Sequence, residues 1–200
     1  VATEAEMEAC VRISPVTGGG AGTTGGPDGA GAPEPLPRDA AVDAGTFRRA
    51  LGSHAAGVVV VTAAPADGRV GVTATSFTSV SLDPPLVSFY IDARSGTWPG
   101  IRDASAFAVN LLAADQREVA HRFATKGVDR FAPPTRWRSG PEGLPLIEGA
   151  VGHILCRRHD LLAVGDHWLV VGRVAAAEVR AAEGGRPLLY HRGRYGHFQP

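Results

Sequence analysis

Val58-Val59-Val60-Val61-Thr62 constrains the fold of this chain more than any other run. Five consecutive β-branched residues crowd a helix and suit a pleated strand, and five is strand length rather than helix length. Ala66-Asp67-Gly68 follows, and Asp-Gly is a signal for a tight hairpin turn. Val70 to Thr75 then returns as the partner strand. Further strands read at Leu86 to Asp92, Phe107 to Leu112, Val151 to Asp160, Trp168 to Val174 running on toward Val179, and Leu188 to Tyr190. Between them, Leu161 to His167 reads as a turn through Gly165-Asp166, Gly184-Gly185 as another, and Gly193 separates the last strand from Tyr195. Helices are few. Asp43 is placed to cap one that carries Phe47, Ala50, Leu51 and His54 at helical spacing. Pro99 to Ser105 is a short second one. Asp115-Gln116-Arg117-Glu118 has the form of a capping box opening a third, with Val119, Ala120 and Phe123 as its apolar stripe. The expected architecture is mainly β with flanking helices, an antiparallel Greek-key type of barrel, and not an alternating βαβ chain.

Three polar stretches interrupt this pattern. Gly71 to Pro85, GVTATSFTSVSLDPP, holds Thr73, Thr75, Ser76, Thr78, Ser79 and Ser81 and reads as a hydroxyl-rich connection between two strands. Such a segment offers backbone N–H groups and short O–H donors with little bulk, which suits a flat ligand with many acceptors, or a phosphate. Ser and Thr in such a place also cap their own backbone, and composition alone favours that plainer role. Ala93 to Trp98 holds Arg94, Ser95 and Thr97 around Gly96, all phosphate-binding types, in a stretch that by itself is a solvated turn. Thr125 to Gly143 is irregular, contains Arg130-Phe131 and Trp137, and is long enough to suggest a functional loop or a partner contact.

Composition narrows the function classes. Twenty Lys and Arg balance twenty Asp and Glu, so nothing electrostatic points to nucleic acid or an anionic membrane. No run reaches the roughly eighteen apolar residues of a membrane helix. The first residues lack a basic segment followed by an apolar core, so no secretory signal is expected. Cys10 and Cys156 are far apart, which argues against a disulfide framework and fits a reducing cytoplasm. Thr17 to Ala40 has Gly, Pro and Thr but almost no apolar payload, so residues 1–40 read as a flexible leader, with the folded domain at 41–200. Within that leader, Gly20-Ala21-Gly22-Thr23-Thr24-Gly25 matches G-x-G-x-x-G. No strand precedes it, and Pro27, Gly29 and Gly31 follow where a helix would be needed, so it is no dinucleotide fingerprint. His153-x-x-Cys156-x-x-His159 invites a metal reading, but strand alternation puts Cys156 on the face opposite the two histidines, so no metal is expected.

Six segments taken in order carry a more specific signal. FRRALGSHAAGVVVVT, GVTATSFTSVSLDPPLV, FAVNLL with the following DQREVAHRFA, then DRF, GDH and LLYHRGRY resemble the flavin reductase-like family across about Val42 to Phe198. The resemblance implies an FMN-binding split barrel acting as an NAD(P)H:flavin oxidoreductase. Such proteins often serve as the small component of a two-component monooxygenase. It implies FMN or FAD as flavin and NADH or NADPH as hydride donor. It places Thr73, Ala74, Thr75 and Ser76 along the isoalloxazine, largely through backbone. Ser79, Ser81, Arg94, Ser95 and Thr97 are expected near the flavin phosphate and ribityl chain, and Tyr195 and Phe131 as further neighbours. His167 of GDH is expected beside the nicotinamide or the flavin face; without the resemblance it reads as a sheet-edge histidine. The resemblance also implies a homodimer, and an open small barrel would leave Val58 to Val61 needing cover.

Three positions depart from the family pattern: Thr75 stands where Asn is common, Ala56 where Thr is common, and Trp98 where a smaller or basic residue is common. Two other functions remain open at this point. One is a split-barrel flavoenzyme holding FMN tightly and acting on an organic substrate. The other is a flavin-binding module without turnover, and a shared fold does not separate them.

Overall fold

Val59–Ala63 is buried along its whole length, so its two neighbours must cover both of its edges and other elements both of its faces. This computed structural model describes residues 42–179 and 185–198. The leader proposed for residues 1–40, with Cys10, and the Gly184 half of the Gly184-Gly185 turn lie outside the described residues. The elements in chain order are α1 Ala44–Gly52, β1 Ala56–Gly57, β2 Val59–Ala63, β3 Val70–Ala74, β4 Thr78–Leu82, β5 Pro85–Asp92, α2 Trp98–Asp103, β6 Ala106–Leu111, α3 Arg117–Ala124, β7 Trp137–Ser139, β8 Pro145–Ile147, β9 Gly152–Val164, β10 His167–Val179, β11 Leu188–His191 and β12 Arg194–His197. A 3₁₀ turn, Pro141–Gly143, lies between β7 and β8.

Seven strands form one antiparallel sheet in the order β3-β2-β6-β9-β10-β5-β4. β1, β11 and β12 form a small second sheet, and β7 pairs with β8. β3 and β5 are separated by four strands in the main sheet, yet they lie in contact. The sheet therefore curls until its two ends face one another without hydrogen-bonding, which is the split barrel expected from the sequence. Its interior holds Val59, Val61, Phe89, Ile91, Phe107, Val109 and Val170. Phe89 and Phe107 meet edge to face at 5.5 Å. Close packing inside the curl leaves no room for a side chain at Gly172, where a Cβ would come within 2.4 Å of the Phe107 ring.

Asn110 is the polar residue of β6, and it is fully buried. Its Nδ2 donates to the Val60 carbonyl at 2.8 Å and to Thr62 Oγ1 at 3.1 Å. Its Oδ1 accepts from the Ile147 amide at 2.8 Å. Thr62 Oγ1 donates in turn to the Pro145 carbonyl at 2.6 Å. Two side chains thus fasten β2 and β6 to β8, and each buried polar atom in the group has a partner.

Several sequence expectations need correction. The connection within Gly71 to Pro85 is not all loop, because Thr78–Leu82 pairs with β5 as an exposed edge strand with a bulge at Val80. Asp115 does not cap α3. Gln116 occupies that place and makes no side-chain cap bond; its Oε1 accepts from Ala113 N and its Nε2 donates to the Glu148 carbonyl. Leu161 to Val164 continues β9, so the turn is only Gly165-Asp166, with Gly165 at φ 60°. Val58 to Val61 need no partner, being 3% exposed or less within the chain. The alternation expected between His153 and Cys156 holds, as β9 pairs with β6 without a shift there. Both are buried because both faces are covered: Cys156 lies in the barrel interior and His153 Nε2 lies 3.0 Å from the Ile147 carbonyl, while His159 is exposed at a bulge. Among the described residues no three His, Cys, Asp or Glu gather as a metal site, and no helix is long and apolar enough to cross a membrane.

Replacing Asn110 with Leu keeps the volume but strands the Ile147 amide, while the Thr62 hydroxyl keeps its bond to the Pro145 carbonyl. The expected loss is about 1–3 kcal/mol, the cost of one unpaired buried group. Urea unfolding of the two proteins measures it, and a loss below about 0.5 kcal/mol, the range of surface changes, would mean that the network is not stabilising.

Candidate functional site

The curl of the sheet leaves an open groove of about 540 Å³ where its ends face each other. One wall is β3 backbone at Gly71 and Val72, and the opposite wall is Asp92 to Thr97, the segment after β5. The end of α3 and residues 126–131 form the floor and rim. Gly71 is needed at this wall, because a Cβ there would lie 2.6 Å from the Phe123 ring, so strand and helix approach backbone to ring. Gly100 plays the same part for α2, since a Cβ there would meet Val70 at 2.6 Å.

The Asp92 to Thr97 wall is a chain of local hydrogen bonds. Asp92 Oδ1 accepts from the Arg94 amide at 2.7 Å, the Ser95 amide donates to the Asp92 carbonyl, and Ser95 Oγ accepts from the Thr97 amide at 3.3 Å. The Arg94 guanidinium folds back on Asp92 through Nε and Nη2, each at 3.2 Å, and remains 80% exposed. Arg94 holds the Asp92 carboxyl at about 2, well below its usual value, with its own amide and the nearby His167 adding to the effect.

Arg130 joins the walls. Its Nη1 donates to the Gly71 carbonyl at 2.8 Å and to Thr97 Oγ1 at 2.6 Å, while Nε and Nη2 donate to the Thr125 carbonyl at 3.3 and 2.9 Å. Burial holds its pKa below the usual arginine value. Sequence reasoning noted Arg130 only as part of a long loop. The signal was the DRF triplet itself: Asp129 Oδ1 turns the chain by accepting from the Phe131 and Ala132 amides, which aims the intervening arginine inward. Arg69, Lys126 and Asp92 also line the groove and were missed.

The structure brings Arg94, Ser95, Thr97 and Phe131 together around the groove. Thr73 and Ala74 continue the β3 wall beyond Val72. The Thr73 hydroxyl is already used, donating to the Ala120 carbonyl at 2.6 Å, and Ala74 is buried. Thr75 is exposed. Ser76 ties the chain to β5, its Oγ accepting from the Tyr90 amide at 2.9 Å. Ser79 and Ser81 sit on the edge strand β4 and are not among the groove's lining residues. Tyr195 lies elsewhere, on β12 against Tyr190 at 5.2 Å, bordering a different cleft beside His191 and Arg192. Trp98 turns into the core and stacks on Trp168 at 4.9 Å and 18°, so its bulk does not enter the groove. His167 pairs in register with Asp92 and thus stands at the groove's edge rather than inside it. Its Nδ1 faces Asp166 Oδ1 at 2.7 Å. A carboxylate only accepts, so Nδ1 carries a proton and Nε2 faces outward.

A wall of backbone, a wall of small donors with one exposed cation, and an aromatic floor suit a planar group with a phosphate tail. Comparison with known proteins agrees in kind. Residues 51–199 match the family model described as flavin reductase like domain. A flavin reductase from Pseudomonas putida is 43% identical over 159 residues, covering 79% of this chain and 92% of that protein. The crystal structure of nitrilotriacetate monooxygenase component B from Mycobacterium thermoresistibile superposes with a TM-score of 0.73 at 39% identity, covering 78% of this chain and 86% of the other. The Streptomyces globisporus NADH:FAD oxidoreductase SgcE6, solved with NAD and FAD fragments, superposes with a TM-score of 0.74 at 38% identity over 79% and 94% of the two chains.

The Asp92–Arg94 pair makes a pH prediction. A carboxyl depressed in the folded state contributes stability above its unfolded pKa, near 3.8, and loses it as pH falls through about 2. A carboxyl-detected NMR titration is expected to place the Asp92 midpoint near 2. A midpoint near 3.8 would mean that the wall is open in solution.

Proposed function

This chain belongs to the flavin reductase like domain family, and from that premise we propose that it oxidises NAD(P)H to reduce FMN or FAD and hands the reduced flavin to a partner flavin-dependent monooxygenase. The observation that carries the proposal is the groove between β3 and the Asp92–Thr97 segment, closed by Arg130. The relatives support it in their own names, one being a flavin reductase, one a monooxygenase component and one an NADH:FAD oxidoreductase.

The residues fit a flavin. The β3 wall supplies backbone with a glycine where bulk is excluded, and the β5–α2 turn supplies Arg94, Ser95 and Thr97 for a phosphate. We assign the run Thr73 to Ser76 to the ring edge through backbone. Flavin and dihydronicotinamide supply the hydride chemistry themselves. The chain's part is to bind, orient and shield the reactants. Phe131 packs edge to face on Phe123 at 5.3 Å and on Trp137 at 5.8 Å, so its ring is held between two others. His167, oriented by Asp166, presents Nε2 at the edge where a nicotinamide amide would reach. Oxidation of NADH by the purified chain with and without added FMN or FAD tests the function. Turnover that rises with free flavin is expected. Bound flavin that turns over only with an organic substrate would replace the proposal with a prosthetic-group enzyme, and binding without turnover would leave a flavin-binding module.

His167→Ala is expected to slow hydride transfer or raise the KM for NADH by about tenfold or more while leaving flavin affinity intact. Stopped-flow reduction beside a flavin titration measures both. An unchanged rate and KM would return His167 to a sheet-edge role.

We also propose a homodimer in the cytoplasm, with Ser79 and Ser81 meeting flavin only in the assembled pair. The support is an apolar outer face. Tyr90, Leu169 and Leu162 stand in register across β5, β10 and β9, opposite the core-facing Phe89 and Val170, and Tyr90 and Leu162 are 42% and 46% exposed. Val80 and Leu82 on β4 extend the exposure. Light scattering is expected to give twice the mass of a single chain, also for a chain starting at Asp39, with Leu162→Arg reducing it to a monomer. A single-chain mass for the unaltered protein would contradict the pair.

A further inference from the structure

The groove carries more recognition chemistry than a flavin mononucleotide uses. Four cations line it: Arg69, Arg94, Lys126 and Arg130. Arg94 is folded on Asp92, and Arg130 spends its donors on two carbonyls and a hydroxyl. Among the described residues, Arg69 and Lys126 have no acidic partner. Arg69 ends the β2–β3 hairpin just after Gly68, whose φ of 128° is open to glycine and not to other residues. Its guanidinium lies over aromatic rings, 4.6 Å from the Trp137 centroid and 5.9 Å from that of Phe131. Both rings are fixed from behind, as Trp137 Nε1 donates to the Phe131 carbonyl at 3.2 Å and Trp137 pairs with Ile147 in the β7–β8 ladder.

A guanidinium held against an indole has one face covered and one face open, and its rotamers are restricted before any ligand arrives. The open face suits a purine ring, and its edge N–H groups, with Lys126, suit a phosphate. We propose that Arg69, backed by Trp137 and joined by Lys126, forms a subsite for the adenosine monophosphate half of a dinucleotide. This rests on the reading of the groove as a flavin site, with the flavin's own phosphate at Arg94, Ser95 and Thr97. FAD and NAD(P)H both carry that half, and FMN does not. The subsite is therefore a specificity determinant, and it lies on the rim across from the Asp92–Thr97 wall.

AMP titrated into the full chain tests the subsite without any flavin. It is expected to shift the indole N–H resonance of Trp137 and to leave those of Trp98 and Trp168, stacked on each other in the core, in place. Arg69→Ala and Arg69→Lys are both expected to abolish that shift, because lysine keeps the charge but not the plane. Affinities then identify the source. A five- to tenfold loss for FAD with FMN unchanged assigns the subsite to the flavin, and a similar rise in the KM for NADH with both flavins unchanged assigns it to the hydride donor. No shift of Trp137 with AMP, or a loss shared equally by FMN and FAD in Arg69→Ala, would overturn the subsite. Failure of FMN to bind the unaltered chain would instead strike at the flavin reading, while the AMP response still decides the subsite.

Discussion

One guanidinium closes the structure where the sheet does not. β3 and β5 stand at opposite sides of the β2-β6-β9-β10 block and never pair, so no ladder fixes the distance between them. Arg130 spans the gap, bonding a β3 carbonyl, a hydroxyl after β5 and the carbonyl that ends α3. Such charge-assisted bonds are worth about 1.5–3 kcal/mol each, enough to hold a shallow groove in one shape. Arginine suits the position because its planar fork reaches several acceptors at once, and a lysine would not. Everything assigned to the groove depends on that closure, from the exposed Arg94 to the aromatic floor.

The interior is organised by the same logic one layer deeper. Asn110 and Thr62 fasten three strands through fully satisfied polar contacts, which fixes the register of β2 against β6. That register sets where Gly71 falls on β3, and so where backbone rather than side chain faces the groove. The outer face of β5, β9 and β10 is the reverse case. Among the described residues its apolar row is exposed at Tyr90 and Leu162, with Leu169 half-buried between them, and His167 stands at its end next to the groove. Cys156, a free thiol pushed up to about 12 by burial, is an inert part of the core.

Much of this was legible in the sequence. The valine run, the Asp67-Gly68 turn, the Asp43 cap and a turn at Gly165-Asp166 all follow from local propensity, and the structure keeps them. What failed did so because of long-range packing. Thr78 to Leu82 carries hydroxyls like a loop, but β5 offers it an edge to pair with. Gln116 outbids Asp115 because Glu148, distant in sequence, places a carbonyl beside it. At the site, residue type pointed to Arg94, Ser95 and Thr97 only with the family resemblance beside it, since a turn of small donors around a glycine is by itself a solvated turn; all three line the groove. That Arg130, Arg69 and Lys126 line one groove was not legible, because it takes the curl of the sheet to bring residues 69, 97 and 130 together. Tyr195 lies on β12 beside a different cleft and is not among the residues lining the groove.

Hydrogen–deuterium exchange of the full chain with and without FMN tests the central claim most directly, because it reads backbone protection along every wall at once. Protection is expected in residues 71–76, 92–97 and 125–131 together, with β11 and β12 unchanged apart from any contact made by a second copy. Protection confined to β11 and β12, or no change along β3 and the Asp92–Thr97 wall at saturating FMN, would contradict the placement of the flavin in the groove that Arg130 closes.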